Sequence, residues 1–234
     1  MKNIIIQHWN GPRNDWNLAA EKSMRMYADK CNAEYKFLTK DPYPGYPNFF
    51  QKIYIIDEIW DEYDDVLMLD IDMVATKNFD NIFNYEGIGR LHYKGMASLN
   101  GSRTGSENPK IYIKGAPIFF GNCVKLNKEE RIALRQDFDP AFFLQHKTNA
   151  KYSLVDEAVL SYLIHTTGAL KNKKTLELPH DRFCDLPEEA HSQASLLHFC
   201  GGRKDNIIAY VKRPTEKYFE KFNYSTLCCR ETWT

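Results

Sequence analysis

Leu67-Met68-Leu69-Asp70-Ile71-Asp72 places two carboxylates one residue apart at the end of an apolar run. Residues i and i+2 of a strand point to the same side, about 6.6 Å apart along the chain, so the pair can share one hard cation. Mg²⁺ or Mn²⁺ favours oxygen ligands and keeps positions for water or phosphate, which would make Asp70 and Asp72 a grip for a metal-chelated diphosphate. Two solvated aspartates closing a strand fit the same letters. A second group, His198-Phe199-Cys200-Gly201-Gly202-Arg203-Lys204, follows the apolar Leu196-Leu197. There a short strand would deliver a histidine competent for Mn²⁺, two glycines would allow close backbone approach, and Arg203 and Lys204 would supply cations for phosphate oxygens. A histidine satisfied inside the core is the competing reading. In Ser153-Leu154-Val155-Asp156-Glu157 the acids open a helix carrying Val159, Tyr162 and Leu163, where capping and the helix dipole already account for them.

The elements that must hold these groups alternate from the first residues. Ile4 to Gln7 reads as a strand, and Asn14 or Asp15 caps a helix with Ala20, Met24, Tyr27, Ala28 and Cys31 on one face. Tyr35 to Leu38 is a second strand and the Pro-rich Asp41 to Pro47 a loop. Phe49, Ile53, Ile56 and Trp60 form the apolar face of a second helix leading into the Asp pair. Asp64-Asp65-Val66-Leu67-Met68-Leu69 passes from a charged turn into a strand covered on both faces. This βαβαβ order predicts an α/β fold with a doubly wound, mostly parallel sheet flanked by helices, whose ligands lie beyond the carboxyl ends of the strands, where Asp70 and Asp72 fall. Tyr93 to Lys114 reads as a long loop, either of active-site or acceptor type or an ordinary mobile surface loop, Ala116 to Gly121 as a strand, and Asn127 with Glu130 as a capping box for a helix through Leu134.

With 234 residues, 43% of them hydrophobic, the chain can build one sizeable core. Lys plus Arg and Asp plus Glu balance at 31 each, so bulk charge offers no attraction to nucleic acid or anionic lipid. The six cysteines lack any CxxC pair and read as reduced thiols of a cytoplasmic protein. No window approaches the roughly 18 apolar residues of a transmembrane segment, and the start is too short for a signal-peptide core.

The order of these motifs resembles the GT-A glycosyltransferases, most closely the family 8 type of glycogenin and the bacterial lipopolysaccharide galactosyltransferases. Similar compact enzymes occur in large DNA viruses of algae, the chloroviruses. The resemblance rests on Leu69-Asp70-Ile71-Asp72 as Asp-x-Asp, on Gly115 to Gly121 as a small-residue strand, and on Asp156-Glu157 where that family has Asp-Gln. It rests also on Leu178-Pro179 through Phe183-Cys184, and on His198 to Lys204 as His-Phe-x-Gly-x-x-Lys. It spans roughly residues 1 to 210, leaving 211 to 234 as a tail or linker. It implies a Rossmann-like nucleotide-diphospho-sugar transferase fold and a nucleoside diphosphate sugar donor, UDP-linked, with a glycan or glycoprotein acceptor. The metal ligands would be Asp70, Asp72 and His198, holding Mn²⁺ or Mg²⁺. Gly201 and Lys204 would lie at the diphosphate and Asp156, or else Glu157, by the donor sugar, with retention of configuration. Lys52 matches a common position of the family; Arg90 reads as a solvated surface arginine, with service to the donor sugar or ribose as the alternative. The action would take place in the cytoplasm, that of the host for a viral chain.

Other readings compete. Asp70-Ile71-Asp72-Met73-Val74 fits the first motif of haloacid-dehalogenase-type phosphatases, but that motif opens its fold and needs a later acidic motif not found here. A sugar-nucleotide pyrophosphorylase would need a Gly-rich phosphate loop, of which Gln7 to Arg13 is a poor version. A carbohydrate-binding module could use the 14% aromatic content, with Trp9, Trp16, Tyr43, Tyr46 or Tyr93 stacking on sugars, yet it would not need the Asp pair, the His and the Lys together.

Overall fold

The computed structural model describes residues 1–92, 118–145, 156–167, 175–179, 181–183 and 193–212. Strand β1 (Asn3–His8) leads into helix α1 (Asp15–Cys31), whose N-cap is Asn14. Asn14 and Asn17 exchange side-chain-to-backbone hydrogen bonds, a capping box built from two asparagines. The expected face of Ala20, Met24, Tyr27, Ala28 and Cys31 is buried, and Asn32 ends the helix in the left-handed conformation at φ 53°. After β2 (Glu34–Leu38), the expected second α-helix is instead a 3₁₀ helix over Asn48–Ile56, followed by a short one over Glu58–Trp60. Phe50, Ile53 and Ile56 recur every third residue, and at three residues per turn they fall in one buried row. Phe49, expected on the apolar face, is therefore turned out and 46% exposed.

Strand β3 (Asp65–Leu69) and short β4 (Met73–Ala75) follow, then β5 (Gly89–His92) and β6 (Ile118–Asn127). The sheet order is β2-β1-β3-β6-β5. β2, β1 and β3 pair in parallel, while β6 is antiparallel to both β3 and β5, so four of the five strands run one way. The expected strand at Ala116 to Gly121 overlaps β6 from Ile118 to Gly121, and β6 runs on to Asn127; Ala116 and Pro117 lie outside the described residues. Helix α2 (Lys128–Gln136) opens on the expected Asn127/Glu130 capping box. Helices α3 (Pro140–Gln145), α4 (Asp156–Thr167) and α5 (Asn206–Lys212) complete the described framework with strand β7 (Leu196–His198). The expected loop at Tyr93 to Lys114, Ser153 to Val155, Cys184 and the tail beyond 212 lie outside the described residues. Among the described residues Cys31, Cys123 and Cys200 form no disulfide, and no described helix is long and apolar enough to cross a membrane.

Strand alternation divides the core between the two faces of the sheet. Ile4, Ile6, Val66 and Met68 pack against the 3₁₀ segment and α4, while Ile5, Leu67 and Leu69 pack against α1. Burial of this order, worth about 1.5–3 kcal/mol for each large apolar side chain, fixes the register and thereby the point where β3 ends.

Candidate active site

Asp70 and Asp72 leave the sheet together, although not as pleat neighbours within a strand. β3 stops at Leu69 and the pair sits in a tight turn, closed by Met73 N donating to Asp70 O at 3.2 Å. The expected strand geometry is thus replaced by turn geometry. The Asp70 backbone is anchored on both sides: its N–H donates to Asn122 O of β6 at 2.9 Å, and its carbonyl accepts from Gln7 Nε2 at 2.7 Å. Gln7 is itself held by Tyr35 OH, which donates to Gln7 Oε1 at 2.6 Å.

His198 reaches the turn because β7 pairs antiparallel with β4, setting Met73 opposite His198, and because Phe199 N donates to Asp72 O at 2.9 Å. Its Nε2 lies 3.3 Å from Asp70 Oδ2 and 3.2 Å from Asp72 Oδ1. One ligand atom from each of the three residues falls within 4.8 Å of the others. Nε2 and Asp72 Oδ1 are buried yet make no well-aligned hydrogen bond, as expected of atoms aimed at a common point rather than at each other. Burial opposes the imidazolium, but the Asp72 and Asp70 carboxylates outweigh it and push His198 up to about 9. On the far side of the ring, Nδ1 faces Asn122 Nδ2 at 3.1 Å, while Asn122 Oδ1 is buried without a partner. With that amide turned over, Oδ1 would accept Nδ1–H and leave Nε2 free as a ligand, the outer-shell arrangement that orients a metal-bound histidine. Two carboxylates and one imidazole nitrogen gathered about one point fit a divalent metal ion.

Lys52 projects from the 3₁₀ helix into the same region and pairs with Asp70 Oδ1, with Asp156 Oδ2 at 3.0 Å and with Gly121 O at 3.2 Å. Gln51, its neighbour, is buried and ties down the preceding loop: its Oε1 accepts from Tyr43 N at 2.7 Å and its Nε2 donates to Tyr43 O at 2.8 Å. Burial would lower the Lys52 ammonium, yet Asp156 and Asp70 hold it well above the ordinary lysine range. For Asp70, burial is outweighed by Lys52 and His198, and its carboxyl stays well below the usual range. Asp156 is raised, since burial and the nearby Asp70 charge together exceed the pull of Lys52. A β-carbon on Gly121 would collide with Asp156 Oδ2, so only glycine at 121 lets α4 bring that carboxylate to Lys52.

Lys204, just before α5, lies 3.2 Å from Asp72 Oδ2. Gly201 has φ +62°, a conformation that favours glycine, and a β-carbon on Gly202 would meet open space. Asp70, Asp72, His198, Lys52, Asp156 and Lys204 therefore converge. Glu157 is the next residue of α4, its backbone N–H donating to the Asp156 carboxylate, and Arg90 lies on β5, two strands from β3. Gln7, Gly121 and Asn122 escaped sequence reasoning as site residues; a buried amide in an apolar strand was the available signal for Gln7, as was the small-residue segment for Gly121.

No protein-family model matches the chain, and no curated protein is similar to it. Solved structures are similar in fold. A glycosyltransferase involved in glycosylation of the major capsid of PBCV-1 superposes with a TM-score of 0.57 at 12% identity, over 91% of this chain and 99% of that one. The bifunctional glycosyltransferase WbbM gives 0.55 at 10% identity, over 94% of this chain and 50% of that one. The galactosyltransferase LgtC, solved with donor and acceptor sugar analogues, gives 0.50 at 13% identity, over 94% and 100%. The chain has the GT-A fold of these glycosyltransferases.

Proposed function

We propose that the chain is a metal-dependent glycosyltransferase. It moves a sugar from a nucleoside diphosphate sugar, with UDP as the carrier, to a hydroxyl of a glycan or glycoprotein. The observation that carries this reading is the convergence of Asp70, Asp72 and His198 beside Lys204 and Asp156 at the carboxyl end of β3, in a fold whose solved examples transfer sugars.

Asp70, Asp72 and His198 would hold Mn²⁺ or Mg²⁺, which when bound supplies Lewis-acid neutralisation of charge on the departing diphosphate. Lys204 adds a second positive charge at the same leaving group, and Gly202, where a β-carbon would meet open space, leaves room for phosphate to approach the backbone. Lys52 bridges Asp70 and Asp156 and so ties the metal-ligating turn to α4 at a fixed spacing. Asp156 then faces the donor sugar, binding its hydroxyls or stabilising oxocarbenium-like charge, with retention at the anomeric carbon. Glu157 and Arg90 have secondary roles in this reading, at the rim of the donor sugar or ribose. The setting proposed for this transfer is the cytoplasm.

Nucleotide release from a panel of UDP-sugars in Mn²⁺ tests the reading. One sugar should be favoured, and Asp156→Asn should lower turnover at least tenfold while UDP affinity is kept, as for a general electrostatic contributor. Equal turnover by Asp156→Asn, or no release from any donor, would refute it.

A further inference from the structure

Lys204 Nζ lies 5.1 Å from the centre of the Trp16 ring and 5.9 Å from that of Trp9, besides its 3.2 Å approach to Asp72 Oδ2. The two indoles meet edge to face, with centroids 5.8 Å apart and an interplanar angle of 72°. Each is fixed from elsewhere. Trp9 Nε1 donates to Pro12 O at 2.9 Å, and its ring occupies the space that a β-carbon on Gly11 would enter, at 2.8 Å. Trp16, in the first turn of α1, packs on the apolar cluster that includes Ala20, Leu197, Phe199 and Ile207.

An indole face attracts an ammonium without neutralising it. A carboxylate in the same place would cancel the charge that a phosphate needs. Lysine also carries its charge on a flexible four-carbon stem, whose freedom is lost when a ligand orders it. An ammonium held by Asp72 alone would lose its partner whenever that carboxylate turned to a metal ion, whereas the indoles stay in place.

We infer that Trp9 and Trp16 are positioning residues, a two-indole clamp that holds the Lys204 ammonium at the rim of the Asp70–Asp72–His198 group, preorganised for the diphosphate of a nucleotide. The identity of that anion rests on the proposed function; the clamp itself does not.

The test has two arms. In the ligand-free protein, the ε-methylene signals of Lys204, identified by their absence from Lys204→Arg, should be shifted upfield by the indole ring currents, and Trp16→Leu should return them to the ordinary lysine position. In calorimetric titrations with Mn²⁺ present, Trp16→Leu should weaken UDP binding by roughly fivefold to thirtyfold, the range of a partly desolvated cation–π contact. Trp16→Phe should recover most of it and guard against a mere folding defect. In a Lys204→Ala background, Trp16→Leu should change UDP affinity less than about twofold, because the indole acts through the lysine. UMP, which lacks the second phosphate, should be affected less than UDP. Unshifted Lys204 signals in the parent would overturn the clamp. So would a loss that persists without Lys204 or is equal for UMP, since the indoles would then touch the nucleotide themselves. Absence of UDP binding by the parent would instead overturn the donor reading, while the ring-current arm, which needs no nucleotide, still decides the clamp.

Discussion

The two ends of the central sheet solve the burial of cations in opposite ways. At the amino-terminal end of β3, Arg131 is fully buried and gives its terminal nitrogens to backbone carbonyls: Leu126 O at 2.8 Å, Tyr63 O at 2.7 Å, Trp60 O at 3.0 Å and Asp64 O at 3.4 Å. Only Nε is left without a partner. At the carboxyl-terminal end, Lys52, His198 and Lys204 face carboxylates instead, and Asp72 Oδ1, Asp156 Oδ2 and His198 Nε2 remain buried without aligned hydrogen bonds. A buried guanidinium answered by carbonyls closes a loop junction and ends there. A group of like charges held near one another by interposed cations is costly to assemble, and such a cost persists where a ligand repays it.

Variants at the two ends should therefore separate stability from ligand binding. Asp72→Asn should leave the chain folded and weaken Mn²⁺-supported UDP binding by about 4 kcal/mol, roughly a thousandfold, because one negative ligand is lost from a buried charge group; calorimetry with circular dichroism checks both halves. Arg131→Met should do the reverse, lowering unfolding stability by about 3 kcal/mol through stranded carbonyls with Mn²⁺ affinity unchanged, as read by urea denaturation. Asn122→Ala, which removes the group behind the His198 ring, should cost tenfold to a hundredfold in Mn²⁺ affinity. Gly121→Ala should displace Asp156 from Lys52 and lower stability by about 2 kcal/mol, with Mn²⁺ binding little altered. Phe49→Ser, at an exposed position, should shift stability by less than about 0.5 kcal/mol, which thermal melts would resolve from the larger loss expected of a core phenylalanine.

Local signals were the legible ones. Asn14 and Asn127 start their helices where the residue types require, and the α1 stripe from Ala20 to Cys31 faces inward because its spacing matches 3.6 residues per turn. The segment before Trp60 misled because Phe49-Ile53-Ile56 and Phe50-Ile53-Ile56 share two of three residues, and the choice between α and 3₁₀ was made by packing against the sheet. The chemistry-bearing letters Asp70, Asp72 and His198 stood out, but their convergence did not follow from pleat geometry. It depends on a turn after Leu69 and on the pairing of Met73 with His198, contacts between distant parts of the chain. Gln7 and Asn122 support the turn across 63 and 76 residues of separation from their partners, beyond the reach of any periodicity. Lys52 was singled out by resemblance alone; its bridge between Asp70 and Asp156 is a tertiary fact.

In the function proposed above, the carboxyl end of β3 is a divalent-metal and nucleotide site. Its most direct test is calorimetric titration of UDP into the protein, first with Mn²⁺ and then with EDTA. Saturable binding of one UDP per chain with Mn²⁺, lost in EDTA, is the expected result; equal binding in both conditions, or none in either, would rule this site out.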